Sequence, residues 1–178
     1  MMPRTICLHG PESTGKSTLG PLLAAHLGGV LLDEYGRDFA EAEGTDFTMP
    51  DLVTIARAHD AKARGLLAAG ADPLIVDTDP LMTAVWADML FGTRDPWFDA
   101  WTGTADLYLL FDIDLPWVED GTRMFGTPTL RQKFFDLAKA ELHRRGLSWA
   151  LVNGQSEARF ASALAAIEAA AAQATAAR

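Results

Sequence analysis

Gly10-Pro11-Glu12-Ser13-Thr14-Gly15-Lys16-Ser17 is the stretch that decides the fold. It is a complete G-x-x-x-x-G-K-[ST] phosphate-binding loop, and each part has a mechanical reason. Gly10 and Gly15 permit the tight turn, so the backbone N–H groups of Glu12, Ser13 and Thr14 point inward at phosphates. A helix opening at Gly15 and running on through Thr18 adds the positive end of its dipole. Lys16 reaches the β- and γ-phosphates, and the Ser17 hydroxyl coordinates Mg²⁺. The flanks agree. Thr5-Ile6-Cys7-Leu8-His9 reads as a buried strand, and Leu19, Leu22, Leu23 and Leu27 recur at helical spacing. The stretch implies a nucleoside triphosphate site.

Outward from the loop, short apolar runs alternate with helical patterns, the signature of an α/β fold with a parallel sheet covered on both faces. Strands are expected at 4–9, 30–33, 73–77, 106–112 and 149–152. Leu52, Ile55, Ala56, His59, Ala63, Leu66 and Leu67 mark one face of a long helix ended by Gly70. Asp79-Pro80 and Thr127-Pro128 each pair an N-cap with proline at the first helical position. A last helix starts near Ser156. Pro21 removes the hydrogen bond to the Ser17 carbonyl and predicts a kink.

At 178 residues the chain is expected to form a single domain, 1–178. A net charge of −9 argues against a nucleic-acid or anionic-membrane surface, so positive charge must be concentrated where phosphates bind. The lone cysteine, Cys7, excludes an internal disulfide. No signal peptide and no membrane span are read, and the expected compartment is the cytoplasm.

A phosphate loop is shared by GTPases, motors and small-molecule kinases. The N-K-x-D motif that selects guanine is absent, since Asn153 is the only asparagine. A transporter-type L-S-G-G-Q is also absent. Leu74-Ile75-Val76-Asp77 is a strand that delivers Asp77 beside the loop, where it binds Mg²⁺ directly or through water. Asp79 either caps the next helix or faces an acceptor. Leu31-Leu32-Asp33-Glu34-Tyr35-Gly36-Arg37-Asp38-Phe39 closes the second strand at the ligand crevice. A carboxylate there, Asp33 or Glu34, suits the proton of an acceptor hydroxyl, and Arg37 suits a phosphate. A solvated charged loop is the plainer alternative. Around Arg123, Gly121 and Gly126 act as hinges of a cationic lid over about 117–131 that includes Arg131, or else the segment is a surface turn.

Taken in order, the loop, Glu34-Tyr35-Gly36-Arg37-Asp38-Phe39, Asp77-Thr78-Asp79 and Trp117-Val118-Glu119-Asp120-Gly121-Thr122-Arg123 resemble the ribosylnicotinamide kinase domain of NadR-type NAD-salvage proteins. That is a phosphate-loop small-molecule kinase of AAA-type ATPase ancestry. The similarity spans about residues 4–170. It implies a three-layer P-loop NTPase fold, nucleoside-kinase-like, with strand order 2-3-1-4-5 and a small lid. It implies transfer from ATP, with Mg²⁺, to the 5′-hydroxyl of nicotinamide riboside. By the same resemblance Lys16 and Ser17 serve the triphosphate and metal, Asp77 assists the metal, Arg123 belongs to the lid, and Glu34 is the base in preference to Asp33. The full-length regulators also carry DNA-binding and adenylyltransferase modules, for which this chain has no room and no H-x-G-H motif.

A flat cationic ring calls for aromatic faces and carboxylates. Tyr35, Trp86 and Trp97 are the candidate wall, with Phe98 and Trp101 nearby, although aromatic residues on helices also build cores. His59 reads as a core-edge histidine in preference to a substrate contact. The partner is thus a small molecule, with no nucleic acid and no membrane. Two other readings stay open: a kinase for another nucleoside or metabolite, and an ATP-binding regulatory switch.

Overall fold

The computed structural model describes residues 1–176. Five strands, β1 (Thr5–His9), β2 (Val30–Leu32), β3 (Leu74–Asp77), β4 (Leu107–Phe111) and β5 (Trp149–Val152), form one sheet in the order β2-β3-β1-β4-β5. All four pairings are parallel. The helices are α1 (Lys16–Leu27), α2 (Tyr35–Glu43), α3 (Met49–Ala68), α4 (Pro80–Phe91), α5 (Pro96–Ala100), α6 (Pro128–Arg144) and α7 (Glu157–Ala176).

Strand side chains alternate between faces, and the two cores follow that period. Ile6, Leu8, Leu107, Leu109 and Phe111 point to one face, where Leu19 and Leu23 of α1 and Ala163 and Ile167 of α7 cover them. Cys7, Tyr108 and Leu110 point to the other face, under Leu81, Met82 and Val85 of α4 and Phe134, Ala138 and Leu142 of α6. Both faces are buried, so the central strands read as unbroken apolar runs. Cys7 is fully buried, and burial pushes its thiol well above the ordinary range.

The two cap–proline devices hold as read: the Asp79 side chain accepts from Leu81 N, and that of Thr127 from Leu130 N. Two short helices went unread. α2 begins inside the charged stretch that follows the second strand, and α5 repeats the Asp-Pro device at Asp95-Pro96. α1 runs as one helix through Pro21. The fold places three strand ends, β1, β2 and β3, side by side with the phosphate loop leaving the first. This is the carboxyl-end crevice of an open parallel sheet.

Candidate active site

The loop between β1 and α1 turns on two glycines with positive φ, Gly10 at 127° and Gly15 at 84°. A Cβ on Gly10 would also stand 3.0 Å from the Phe111 carbonyl oxygen, so the loop lies against β4 as only glycine allows. Lys16 is buried, and its Nζ donates to the carbonyls of Gly10 (2.9 Å) and Pro11 (2.6 Å). The ammonium is thus held over the mouth of its own loop. Arg159 of α7, buried as well, donates to Thr14 O (3.0 Å) and to Asp114 (2.6 Å), bracing the loop from behind.

Ser17 opens α1 beside the end of β3. Its hydroxyl donates to Asp77 Oδ2 at 2.8 Å, while the second Asp77 oxygen is buried with no hydrogen-bond partner among the described residues. Burial pushes the Asp77 carboxyl up, against the pull of Lys16 and of the Ser17 hydrogen bond. A hydroxyl oxygen and an orphaned carboxylate oxygen at the phosphate loop are the hard donors Mg²⁺ prefers, so the residues fit a magnesium site.

One pocket joins the loop to the ends of β2 and β3. Gly10, Glu12, Ser13, Thr14, Gly15, Lys16, Ser17 and Thr18 line it on the phosphate side, and Glu34, Arg37, Asp79, Trp86 and Arg123 on the other. Glu34 stands at the N-cap position of α2 with an extended backbone and no side-chain capping bond, and Arg37 in the first turn lines the pocket beside it. Burial, then the charge of Asp77, raises the Glu34 carboxyl to about 7, with Lys16 and Arg37 opposing. That is the range a general base needs near neutrality. Asp79 is raised to about 6 by burial, and both its oxygens are engaged, one by Leu81 N at 2.9 Å and one by the Tyr108 hydroxyl at 2.6 Å. Asp79 thus caps α4 and also borders the pocket.

The segment 112–127 between β4 and α6 arches over the loop. The Glu12 carboxylate accepts from Met124 N (3.1 Å) and Phe125 N (3.2 Å), and Val118 N donates to Ser13 Oγ at 2.9 Å. Arg123 reaches the pocket wall, donates to the Val118 carbonyl and lies 3.1 Å from Asp120. Arg37 meets the same carboxylate at 3.0 Å. Although partial desolvation opposes it, hydrogen bonds from Thr122 and Arg37 hold the Asp120 carboxyl down at about 2.

Five residues expected at the site are not on the pocket wall: Asp77, which meets it through Ser17, and four that stand further off. Tyr35 is turned by the first step of α2 toward α3, where the Lys62 ammonium sits 4.2 Å over its ring. Asp33, one residue ahead of the cap, is exposed. Trp97 belongs to α5 and packs edge-on to Phe98 and under Arg57. Arg131 is buried and braces the arch by donating to Leu115 O (3.0 Å) and Ser13 O (3.4 Å). The wall opposite the loop is made instead by Phe47, Leu52, Ile55, Met82 and Trp86, with His59 among them. Phe47 lies in the stretch before α3, which has no periodicity to announce it. Arg159 gives no signal beyond being a cation near a helix start.

The AAA domain family model matches residues 5–159. The chain is 29% identical over 164 residues to the trifunctional NAD biosynthesis/regulator protein NadR of Escherichia coli (strain K12), covering 88% of this chain and 40% of that protein. It thus spans about two-fifths of the length of that relative. Among solved structures, a NadR protein in complex with NR superposes with a TM-score of 0.75 at 20% identity, over 94% of this chain and 50% of that one. A thymidylate kinase from Ehrlichia chaffeensis superposes at 0.63 and 15% identity, over 86% and 88%. The fold is that of the P-loop kinases.

Proposed function

Because the chain belongs to the AAA domain family, with the phosphate loop and sheet just described, we propose that it is an ATP-dependent kinase that phosphorylates the 5′-hydroxyl of nicotinamide riboside. The observation that carries this reading is the Glu34 carboxylate, raised to about 7 and standing in the same pocket as the phosphate loop. A nucleotide switch has no use for a base on the far side of its phosphates. The likeness to NadR supports the choice of acceptor.

In this reading the loop N–H groups and Lys16 bind the β- and γ-phosphates, and Lys16 leaves the Gly10 and Pro11 carbonyls to do so. Ser17 and Asp77 would hold Mg²⁺, which when bound neutralises phosphate charge. Glu34 accepts the proton of the acceptor hydroxyl as its oxygen bonds to the γ-phosphorus. The bond from that phosphorus to the bridging oxygen breaks, and ADP leaves with the electron pair. Arg123 and Arg37 face the charge spread over the equatorial oxygens. Trp86 offers an aromatic face to a cationic ring, with Asp79 nearby.

The test is ADP release with ATP and Mg²⁺ across a panel of nucleosides. Nicotinamide riboside should give the highest kcat/KM, with nicotinamide mononucleotide as product. Faster turnover of another nucleoside would reassign the acceptor, and ADP release independent of any nucleoside would favour a regulatory switch.

A further inference from the structure

His59 lies on α3 one turn beyond Ile55 and two beyond Leu52, and all three line the pocket. It is 4% exposed, and neither ring nitrogen has a hydrogen-bond partner among the described residues. A buried polar group left unpaired costs free energy, so native structures rarely keep one without a reason. The pocket supplies a reason, since a ligand there meets the ring. The Asp33 carbonyl is near enough to favour the protonated ring without closing a hydrogen bond, which locates His59 at the β2 strand end, beside Glu34. A Cβ on Gly36 would lie 3.7 Å from Ile55 and 3.8 Å from Glu34 Oε1, so α2 and α3 converge there. His59 therefore attends the part of the acceptor next to the reacting hydroxyl, at the end of the pocket wall that meets Glu34.

Resting on the kinase reading above, we propose that His59 is a specificity-determining residue whose imidazole hydrogen-bonds a ring hydroxyl of the acceptor's sugar. Burial lowers its pKa to about 4, so at neutral pH it offers one N–H donor and one acceptor nitrogen. A hydroxyl can answer either. The ring stays uncharged and does not repel a cationic base.

A double-mutant cycle tests this with wild type, His59→Leu and His59→Asn against nicotinamide riboside and its 2′- and 3′-deoxy analogues. Wild type should lose on the order of tenfold to a hundredfold in kcat/KM with one of the two analogues. His59→Leu should lose as much with the riboside and no more with that analogue. His59→Asn should recover part of the loss, and the Tm of His59→Leu should stay level or rise, because an orphaned polar group has gone. Additive losses with both analogues, or full activity in His59→Leu, would overturn the assignment. If wild type prefers another riboside, the acceptor proposed above falls while the cycle, run on that riboside, still decides His59. If no riboside is turned over, both fall.

Discussion

Ser17 and Asp77 meet at 2.8 Å across the gap between α1 and β3, and this contact fixes the geometry of the phosphate end. The register of the sheet makes it possible: Leu8 and Asp77 are paired in adjacent parallel strands, so Asp77 ends its strand level with the start of the loop. Its other oxygen is buried and unpartnered among the described residues. Asp77→Asn keeps the shape and an acceptor for the Ser17 hydroxyl but removes the charge a divalent cation needs. ADP release titrated with Mg²⁺ should show a half-saturation concentration raised about tenfold or more and a lower plateau. An unchanged titration would remove Asp77 from the metal.

Lys16→Ala tests the same end by charge alone. Losing a cation aimed at the transferring group should cost on the order of 3 kcal/mol in kcat/KM or more. The fold should survive, since among the described residues Lys16 bonds only to its own loop. Thermal melting beside the rate measurement separates the two effects.

Glu34 makes a prediction about pH with two opposite signs. As a base it must be ionised, so kcat/KM should rise through an apparent pKa near 7 and level off above it. For stability the direction reverses. The folded state keeps the Glu34 proton to higher pH than the unfolded chain, so stability falls as pH rises from about 4.5 through 7. Glu34→Gln should therefore abolish the rate's rise with pH and raise the Tm at pH 8, with no gain at pH 4. A Tm that falls at pH 8 would mean the carboxylate is structural.

The fold and the phosphate end of the pocket are legible in the sequence. The loop motif, the five strands and the two cap–proline helix starts are written in short-range patterns, where residue type and spacing carry the physics. Glu34 and Arg37 could be named because a motif ends the second strand. The turn of α2 that throws Tyr35 toward α3 could not, because nine residues with four charges look like a loop until α3 is there to receive Tyr35 and Phe39. Trp97 stands off the pocket wall for a related reason. Sequence neighbours of Trp86 need not share its wall, and α5 carries Trp97 away to Arg57 and Phe98. His59 reads as core-edge because it lies on an apolar face, and only the third dimension shows that this face borders a pocket as well.

Glu12 ties the loop to the arch above it, and its removal should loosen that arch. Its carboxylate accepts from Met124 N and Phe125 N, and no other side chain holds those two N–H groups among the described residues. Glu12→Ala should speed tryptic cleavage after Arg123 several-fold, because cleavage follows local opening. It should also lower kcat, by opening a site that has to close over the phosphates. Glu12→Gln keeps an acceptor oxygen and should fall between. Equal cleavage rates in all three proteins would show that the arch is held elsewhere.

Arg123 and Arg37 share Asp120, and that sharing separates two roles for the arginine. In one, Arg123 binds ATP in the ground state; in the other, it meets charge that develops only during transfer. Arg123→Lys keeps the charge but loses the planar fork that matches phosphate oxygens. If Arg123 acts in the transition state, this change should cut kcat by about tenfold or more while moving ATP affinity little. Asp120→Asn gives the complementary test. It weakens the holds on both arginines, 3.0 Å from Arg37 and 3.1 Å from Arg123, and leaves both forks intact. Its rate loss should reflect positioning alone, and the loss in Arg123→Lys should not deepen much when Asp120→Asn is added, because Asp120 acts through Arg123. Single-turnover phosphoryl transfer with nicotinamide riboside, beside equilibrium binding of an unreactive ATP analogue, reads both quantities. Proportional losses in rate and ATP affinity for Arg123→Lys would make Arg123 a ground-state anchor. Fully additive losses in the double variant would mean that Asp120 serves Arg37 and not Arg123.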